Sequence, residues 1–250
     1  MKLSAVIITK NEEEMIADCI DSVSFCDEIL LVDNGSSDRT VDIAKRMGAR
    51  VISFDSNDFS ALRNFGLKKV SCDYILYVDA DERISEELRK NIEKNLDGKT
   101  ACFKLKRQNF YLGNNPWPKL EEVERLFLRD KLKGWRGNIH ESPVYVGENK
   151  TAEGLLFHYT HRNLTQMLRK TIEWSDIEAK NRLDAGHPKM SLWRFPKVMI
   201  STFFDYYIKQ KGYSVGTVGL IESIYQSFST MITYAKLWEL QNKNKSEENL

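Results

Sequence analysis

In the first hundred residues, short apolar runs alternate with polar segments of helical period. Leu3–Ile8, Ile29–Val32, Arg50–Phe54 and Tyr74–Val78 read as strands, rich in Ile, Val and Leu and bounded by polar or glycine-containing turns. Between the first two, Ile16, Cys19, Ile20 and Val23 fall on one helical face. Asn11 is the expected cap of that helix, and Glu12, Glu13 and Glu14 suit the positive end of its dipole. Asn34-Gly35 predicts a tight turn, followed by a helix from Ser37 or Asp38 through Met47 that stops at Gly48. Ala61–Lys69 and a segment opened by Ser85 and ending near Gly98 complete the helices. This strand–helix alternation predicts an α/β fold with a mostly parallel, doubly wound, Rossmann-like sheet.

Beyond residue 100 the rhythm changes. Ala101–Lys106 and Arg125–Arg129 read as strands separated by the polar loop Gly113–Glu122, and a glycine-containing stretch, Lys133–Glu141, follows. After His158 the period is helical: Leu164–Ala185, a break at Gly186-His187-Pro188, then Val198–Lys209 and Val218–Leu240. On the last of these, Ile221, Ile224, Tyr225, Phe228, Met231, Ile232, Ala235 and Trp238 recur at helical spacing and are expected to pack in a bundle or dimer. Lys243–Leu250 is expected to be a polar tail.

Composition changes this picture little. The chain has 250 residues, a formal net charge of +1 and 42% hydrophobic residues, which fits a globular protein and gives no reason to expect a nucleic-acid partner. Cys19, Cys26, Cys72 and Cys102 form no CxxC pair and are expected as free thiols of a cytoplasmic protein. Met1-Lys2-Leu3-Ser4 runs straight into a strand pattern without a signal-peptide signature. Charge is uneven, however. Between residues 160 and 212 basic residues (among them Arg162, Arg169, Lys170, Lys189, Arg194, Lys197, Lys209 and Lys211) outnumber acidic ones and interleave with Trp193, Phe203, Phe204 and Tyr207. A basic, aromatic helical stretch suits an anionic membrane surface.

The candidate chemistry starts at Asp79-Ala80-Asp81, at the end of the run Tyr74–Val78. Alternate residues leave a strand on one side, so both carboxylates can converge on one point. Hard paired oxygens suit Mg or Mn that also holds phosphate oxygens. Asp33 likewise ends an apolar run, and ligands of open α/β sheets bind at that carboxyl edge. Asp33 has the plainer alternative of a turn aspartate bonding the backbone of Gly35 or Ser36, and Asp81 of a helix cap. His158 follows the apolar stretch Leu155–Phe157 and is a candidate metal or phosphate contact, or a satisfied half-buried histidine. Trp135 is equally a sugar-stacking ring or a core residue.

Several segments together resemble the family 2 glycosyltransferases of GT-A fold, within them the lipopolysaccharide-core β-glucosyltransferase group. They are Ile7-Ile8-Thr9-Lys10-Asn11-Glu12-Glu13, Leu31 through Thr40, Arg63-Asn64, Val78-Asp79-Ala80-Asp81-Glu82-Arg83, Arg125-Leu126-Phe127, Trp135 through Glu141, His158-Tyr159 and Tyr234 through Glu239. The resemblance implies a GT-A catalytic domain over residues 1–160. Its nucleotide-binding half would be 1–100 and its acceptor half 101–160. A C-terminal helical region, 161–242, would make membrane-surface or subunit contacts, and 243–250 would be a tail. It implies donor contacts from Thr9, Asn11, Glu12, Asp33, Arg63, Asp79, Ala80 and Asp81. It also implies a metal on Asp81 and Asp79 and a general base at Glu141. Trp135, Arg136 and His140 are expected near the sugar or acceptor, and Arg125 or Arg136 over the departing diphosphate.

The implied reaction is inverting, Mn- or Mg-dependent transfer of a hexose to a cell-envelope glycan or lipid-linked acceptor such as lipopolysaccharide core. The expected donor is UDP-glucose. The protein would sit peripherally on the inner face of the cytoplasmic membrane, with a homo-oligomer through the C-terminal helices as a further expectation. The alternatives are a peptide glycosyltransferase of the same fold and a non-catalytic sugar-nucleotide-binding scaffold. A nucleotidyltransferase would want a basic, glycine-rich phosphate loop after the first strand, where this chain has the acidic Asn11-Glu12-Glu13.

Overall fold

The computed structural model describes residues 1–137 and 141–247, the side chains only as far as residue 243. The chain forms two compact units, one of residues 1–108 and 120–158, the other of residues 109–119 and Tyr159 onward.

The first unit is built on strands β1 (Leu3–Thr9), β2 (Glu28–Asp33), β3 (Arg50–Ser53) and β4 (Tyr74–Asp79), all parallel in the order β3-β2-β1-β4. Antiparallel strands extend this sheet beyond β4: β8 (Glu121–Leu128), β6 (Cys102–Tyr111), β11 (Asn149–Tyr159) and β5 (Glu82–Ile84). The period-two pattern sets the layers. Leu3, Ala5 and Ile7 point to one face and pack with α1 (Ile16–Ser22), α2 (Thr40–Arg46) and α4 (Glu86–Asn95). Val6 and Ile8 point to the other, against Leu62 of α3 (Phe59–Lys69) and Trp135 of a two-stranded ribbon, β9 (Leu132–Arg136) with β10 (Ser142–Tyr145). A one-residue slip of β1 would exchange these two cores, so the register is strongly specified.

Helix starts follow local chemistry. Asp58 caps α3 by accepting from the Ser60 and Ala61 amides, and Ser85 caps α4 by accepting from Leu88. Ser85 Oγ also accepts from Leu155 N–H, so the α4 cap pins β11. Asn11 does not cap α1. Its backbone is left-handed (φ 55°), and its side chain accepts from Ser37 N–H in the neighbouring loop, so α1 begins at Met15 without a side-chain cap.

In the second unit β7 (Asn115–Pro116) pairs with Phe110 and Tyr111 at the end of β6, and Trp117 is buried, its indole N–H donating to Gln210. Helices α5 (Leu164–Asp184) and α6 (Arg194–Phe204) both pack on α7 (Gly216–Glu247). A π-helical turn, Asp205–Lys209, and a 3₁₀ turn, Gly212–Val215, link α6 to α7. The expected apolar face of α7 is only partly buried within the unit. Glu222, Ser223, Tyr225, Ser227, Thr233 and Leu237 are buried, whereas Ile224, Phe228 and Trp238 are exposed. The polar face is accommodated because its groups find partners. Glu222 accepts from Gln226 Nε2 and contacts His161 Nδ1 at 2.9 Å, and Tyr225 OH donates to Met167 O. The helix also continues into the expected tail, to Glu247. Among the described residues no helix is long and apolar enough to cross a membrane.

Gly154 shows how tightly β11 passes α4. Its φ is +94°, and a Cβ there would lie 2.3 Å from the backbone nitrogen of Leu88. Gly154→Ala should therefore destabilise the protein by about 3 kcal/mol, combining a left-handed alanine with a backbone clash. Urea unfolding with an unchanged m-value checks this.

Candidate active site

Register brings the strand ends together. Thr9 pairs with Asp33 across β1 and β2, and Ile8 pairs with Asp79 across β1 and β4. The loops leaving this edge are joined: Asn11 N–H donates to Ser36 Oγ, Glu12 N–H to Thr40 Oγ1, and Asn34 N–H to Thr9 O. Asp33 accepts from Ser36 N–H at 3.3 Å with either oxygen, so it does organise its turn, and it keeps further acceptor capacity. Thr9 Oγ1 is buried without a hydrogen-bond partner.

Next to this edge a run of alternating charges is folded into the protein. Arg63, on the buried side of α3 and 1% exposed, donates from Nε to Glu141 at 2.9 Å and from Nη2 to Asp79 at 3.0 Å. Arg125, on β8, contacts the other oxygen of Asp79 and also Glu82 at 3.2 Å. Glu82 is wholly buried. It accepts from Asp79 N–H at 3.0 Å and from Arg107, which in turn pairs with Glu121. Burial by itself would push the Asp79 carboxyl up, but Arg125 and then Arg63 override it and hold the group well below the usual carboxylate range. Burial likewise opposes the Arg125 charge, and Asp79 and Glu82 more than compensate, so its acidity is weakened further.

Asp81 sits differently from Asp79. It lies in the turn between β4 and β5, with Oδ2 3.5 Å from His158 Nε2, both side chains 16% exposed. The cause is again register, because antiparallel β5 and β11 place Glu82 opposite His158. Arg83 fixes the turn from behind, donating to the carbonyls of Ala80, Glu82 and Met15. Beneath it the Cys19 thiol is buried, and that burial pushes its pKa far above the ordinary thiol value, which leaves it unreactive.

Trp135 is packed edge-on against Tyr77 and Phe127, with the Arg63 guanidinium 4.8 Å from its ring centroid. It also lines, with Arg125, Glu141 and Ser142, a cavity of ≈ 340 Å³. Arg136 is exposed on β9, and of the two arginines only Arg125 joins the charge run. His140 lies outside the described residues. Glu82 and Arg107 are the residues sequence reasoning passed over. Glu82 immediately follows the acidic pair, but its role depends on the β5–β11 pairing, which the pattern did not reveal.

Two buried nitrogens, Arg63 Nη1 and Arg125 Nε, have no hydrogen-bond partner. Buried polar groups are seldom left so. Cationic donors without acceptors, beside an aspartate–histidine pair at the carboxyl edge of a parallel sheet, define a site suited to a phosphate-bearing ligand.

Comparison with known proteins gives the class. Residues 4–153 match the family model described as Glycosyl transferase family 2. An uncharacterized glycosyltransferase of Rickettsia typhi is 30% identical over 98% of this chain and 89% of its own length. The lipopolysaccharide core biosynthesis glycosyltransferase LpsC of Rhizobium meliloti is 25% identical over 96% of this chain and 93% of its own. Among solved structures, S. aureus TarS 1–349 in complex with UDP aligns over 98% of this chain and 92% of that one, with 16% identity and a TM-score of 0.46. Glucosyl-3-phosphoglycerate synthase from Mycobacterium tuberculosis, in complex with Mn2+, UDP-Glc and phosphoglyceric acid, aligns over 45% of this chain and 44% of that one, with 26% identity and a TM-score of 0.36. The chain belongs to glycosyl transferase family 2.

The charge run makes two predictions. Glu82→Gln removes a buried charge from between Arg107 and Arg125. Each arginine keeps one carboxylate, so the loss should be about 2 kcal/mol, short of the ~3–5 kcal/mol for breaking a buried pair outright, measured by urea unfolding. Asp79 titrates below its unfolded value, so its contribution is complete above about pH 4 and fades as pH falls further. The stability gap between wild type and Asp79→Asn should accordingly narrow below about pH 4 and stay constant above it.

Proposed function

We propose that this glycosyltransferase transfers a hexose, with glucose from UDP-glucose as the first candidate, to a cell-envelope glycan or lipid-linked acceptor, with inversion and with the help of Mn or Mg. The observation that carries the reading is the pair of buried, unpartnered arginine nitrogens beside Asp79, Asp81 and Glu141. A diphosphate supplies the acceptors those nitrogens lack.

The donor set fits a metal of this kind. Among the described residues no three His, Cys, Asp or Glu side chains group to hold an ion by themselves. Mg-like sites rarely need that, since one or two protein ligands are completed by substrate phosphates and water. Asp81 and His158 are the side chains to hold it, with Asp79 a further candidate only if an arginine lets go of one oxygen. When bound, the cation would neutralise charge developing on the leaving diphosphate.

The remaining roles fall to the chain itself. Thr9, Asn11, Glu12 and Asp33 receive the nucleoside. Asp33 accepts from the base N–H, and the Thr9 hydroxyl gains the partner it lacks. Arg63 and Arg125 bind the diphosphate, stabilising negative charge in a site where water is scarce. Glu141 takes the proton of the acceptor hydroxyl as its oxygen bonds to the anomeric carbon and the bond from that carbon to the diphosphate breaks. Exposed apolar residues beside a basic stretch support a role for the helical unit in contact with an anionic membrane surface, on this reading the inner face of the cytoplasmic membrane.

Glu141→Gln should lower turnover of UDP-glucose about 10²–10⁴-fold while leaving UDP affinity within a few-fold, and Asp81→Asn should abolish the Mn dependence of UDP binding. Product formation and calorimetry read these out. Full turnover in Glu141→Gln would remove the base, and no turnover of any UDP-sugar by the wild type would favour a binding scaffold.

A further inference from the structure

A second site lies wholly within the helical unit. A cavity of ≈ 220 Å³ is lined by His187, Trp193, Arg194, Lys197, Ser201 and Tyr234, together with the apolar Met190 and Val198, and by no carboxylate. Its floor is built. Gln241 of α7 accepts from Met190 N–H at 2.9 Å and donates to His187 O at 3.0 Å, stapling the loop between α5 and α6 to α7. Met190 and Leu237 form a small core beneath. The His187 ring stands edge-on to Tyr234, and because Pro188 O can only accept, Nδ1 donates its hydrogen there and closes that side of the cavity.

The cations here are arranged unlike those of the catalytic unit. Lys197 Nζ lies 5.2 Å and Arg194 Cζ 5.8 Å from the Trp193 ring centroid, so one indole gathers both. Among the described residues neither has a carboxylate partner. Arg182 lies outside the cavity, over Tyr234 at 4.9 Å and paired with Glu178 at 3.4 Å. Arg194 and Lys197, clustered with no acid between them, repel one another and are relieved by an anion. The residues of this stretch are also apolar and outward: Leu192 is 90% exposed, Ile200 69% and Trp193 59%. Tryptophan favours the headgroup level of a bilayer.

We infer that this cavity binds the phosphate of a lipid headgroup, with Arg194 and Lys197 on the phosphate oxygens and Leu192, Trp193 and Ile200 in the interface. The inference deepens the membrane role given to the helical unit, from diffuse attraction to a defined headgroup site, and is independent of the donor site.

The test uses the full chain. Sedimentation is measured with phosphatidylcholine vesicles carrying either phosphatidic acid or, at matched surface charge, oleate, and inorganic phosphate binding is followed in parallel by calorimetry. Arg194→Gln with Lys197→Gln should weaken binding to phosphatidic acid vesicles about tenfold or more and abolish phosphate binding. Lys209→Gln with Lys211→Gln removes equal charge outside the cavity and should cost about threefold or less. Oleate vesicles should bind several-fold more weakly than phosphatidic acid vesicles. Equal losses from the two variant pairs, or equal binding to both vesicles, would overturn the site in favour of diffuse attraction. Saturable phosphate binding with no vesicle binding at all would overturn the lipid source. Intact UDP binding in both variant pairs serves as the folding control and separates this outcome from any failure of the donor-site reading.

Discussion

The site depends on one guanidinium. Arg63 is almost wholly buried and holds Glu141 and Asp79 at once, so it joins the segment after β9 to the end of β4. A buried cation of this kind is tolerable only if its desolvation is returned by close opposite charge. That requirement runs along the whole series: Asp79 needs Arg63 and Arg125, Arg125 needs Glu82, and Glu82 needs Arg107. The acidic pair is consequently not two equivalent carboxylates. Asp79 is committed to arginines, and Asp81 is left beside His158. One carboxylate keeps the cations in place, and the other is paired with His158.

Much of this was legible in the sequence, for a physical reason. Strands β1, β2 and β4 are central and mostly buried on both faces, so their apolar runs announce them, and the residues ending those runs, Thr9, Asp33 and Asp79, necessarily reach one edge. Strand β5 is three residues long, and β11 begins with the polar Asn149-Lys150-Thr151, so neither carries a periodic signal. His158 was already a candidate metal contact beside Asp81, but the pairing that brings it there, and the role of Glu82, were out of reach. Trp135 illustrates a different limit. An indole flanked by glycines reads as core or as a sugar platform, and only the rings of Tyr77 and Phe127 against it show how it is packed.

The last helix is where pattern and packing part. Apolar residues at helical spacing ordinarily mark the buried face, yet in α7 Ile224, Phe228 and Trp238 are exposed while Glu222, Ser223 and Ser227 are buried. Small hydroxyl residues allow close helix approach, and here they find backbone acceptors: Ser223 donates to Gly219 O in its own helix, and Ser227 to Met199 O on α6. A fully buried Glu222 adds specificity to that packing through His161 and Gln226. An apolar face turned outward costs solubility and is retained where something covers it.

The two units therefore treat positive charge in opposite ways, and the contrast separates holding from waiting. In the catalytic unit the arginines are paired, and only single nitrogens are left over, so a ligand there must insert into an existing network and compete with carboxylates. In the helical unit Arg194 and Lys197 share a tryptophan, with no acid lining their cavity, so an anion meets no competitor. The first arrangement favours discrimination, because a ligand must match fixed geometry to displace or complete what is there. The second favours capture, with affinity set by local charge and by the apolar side chains around it.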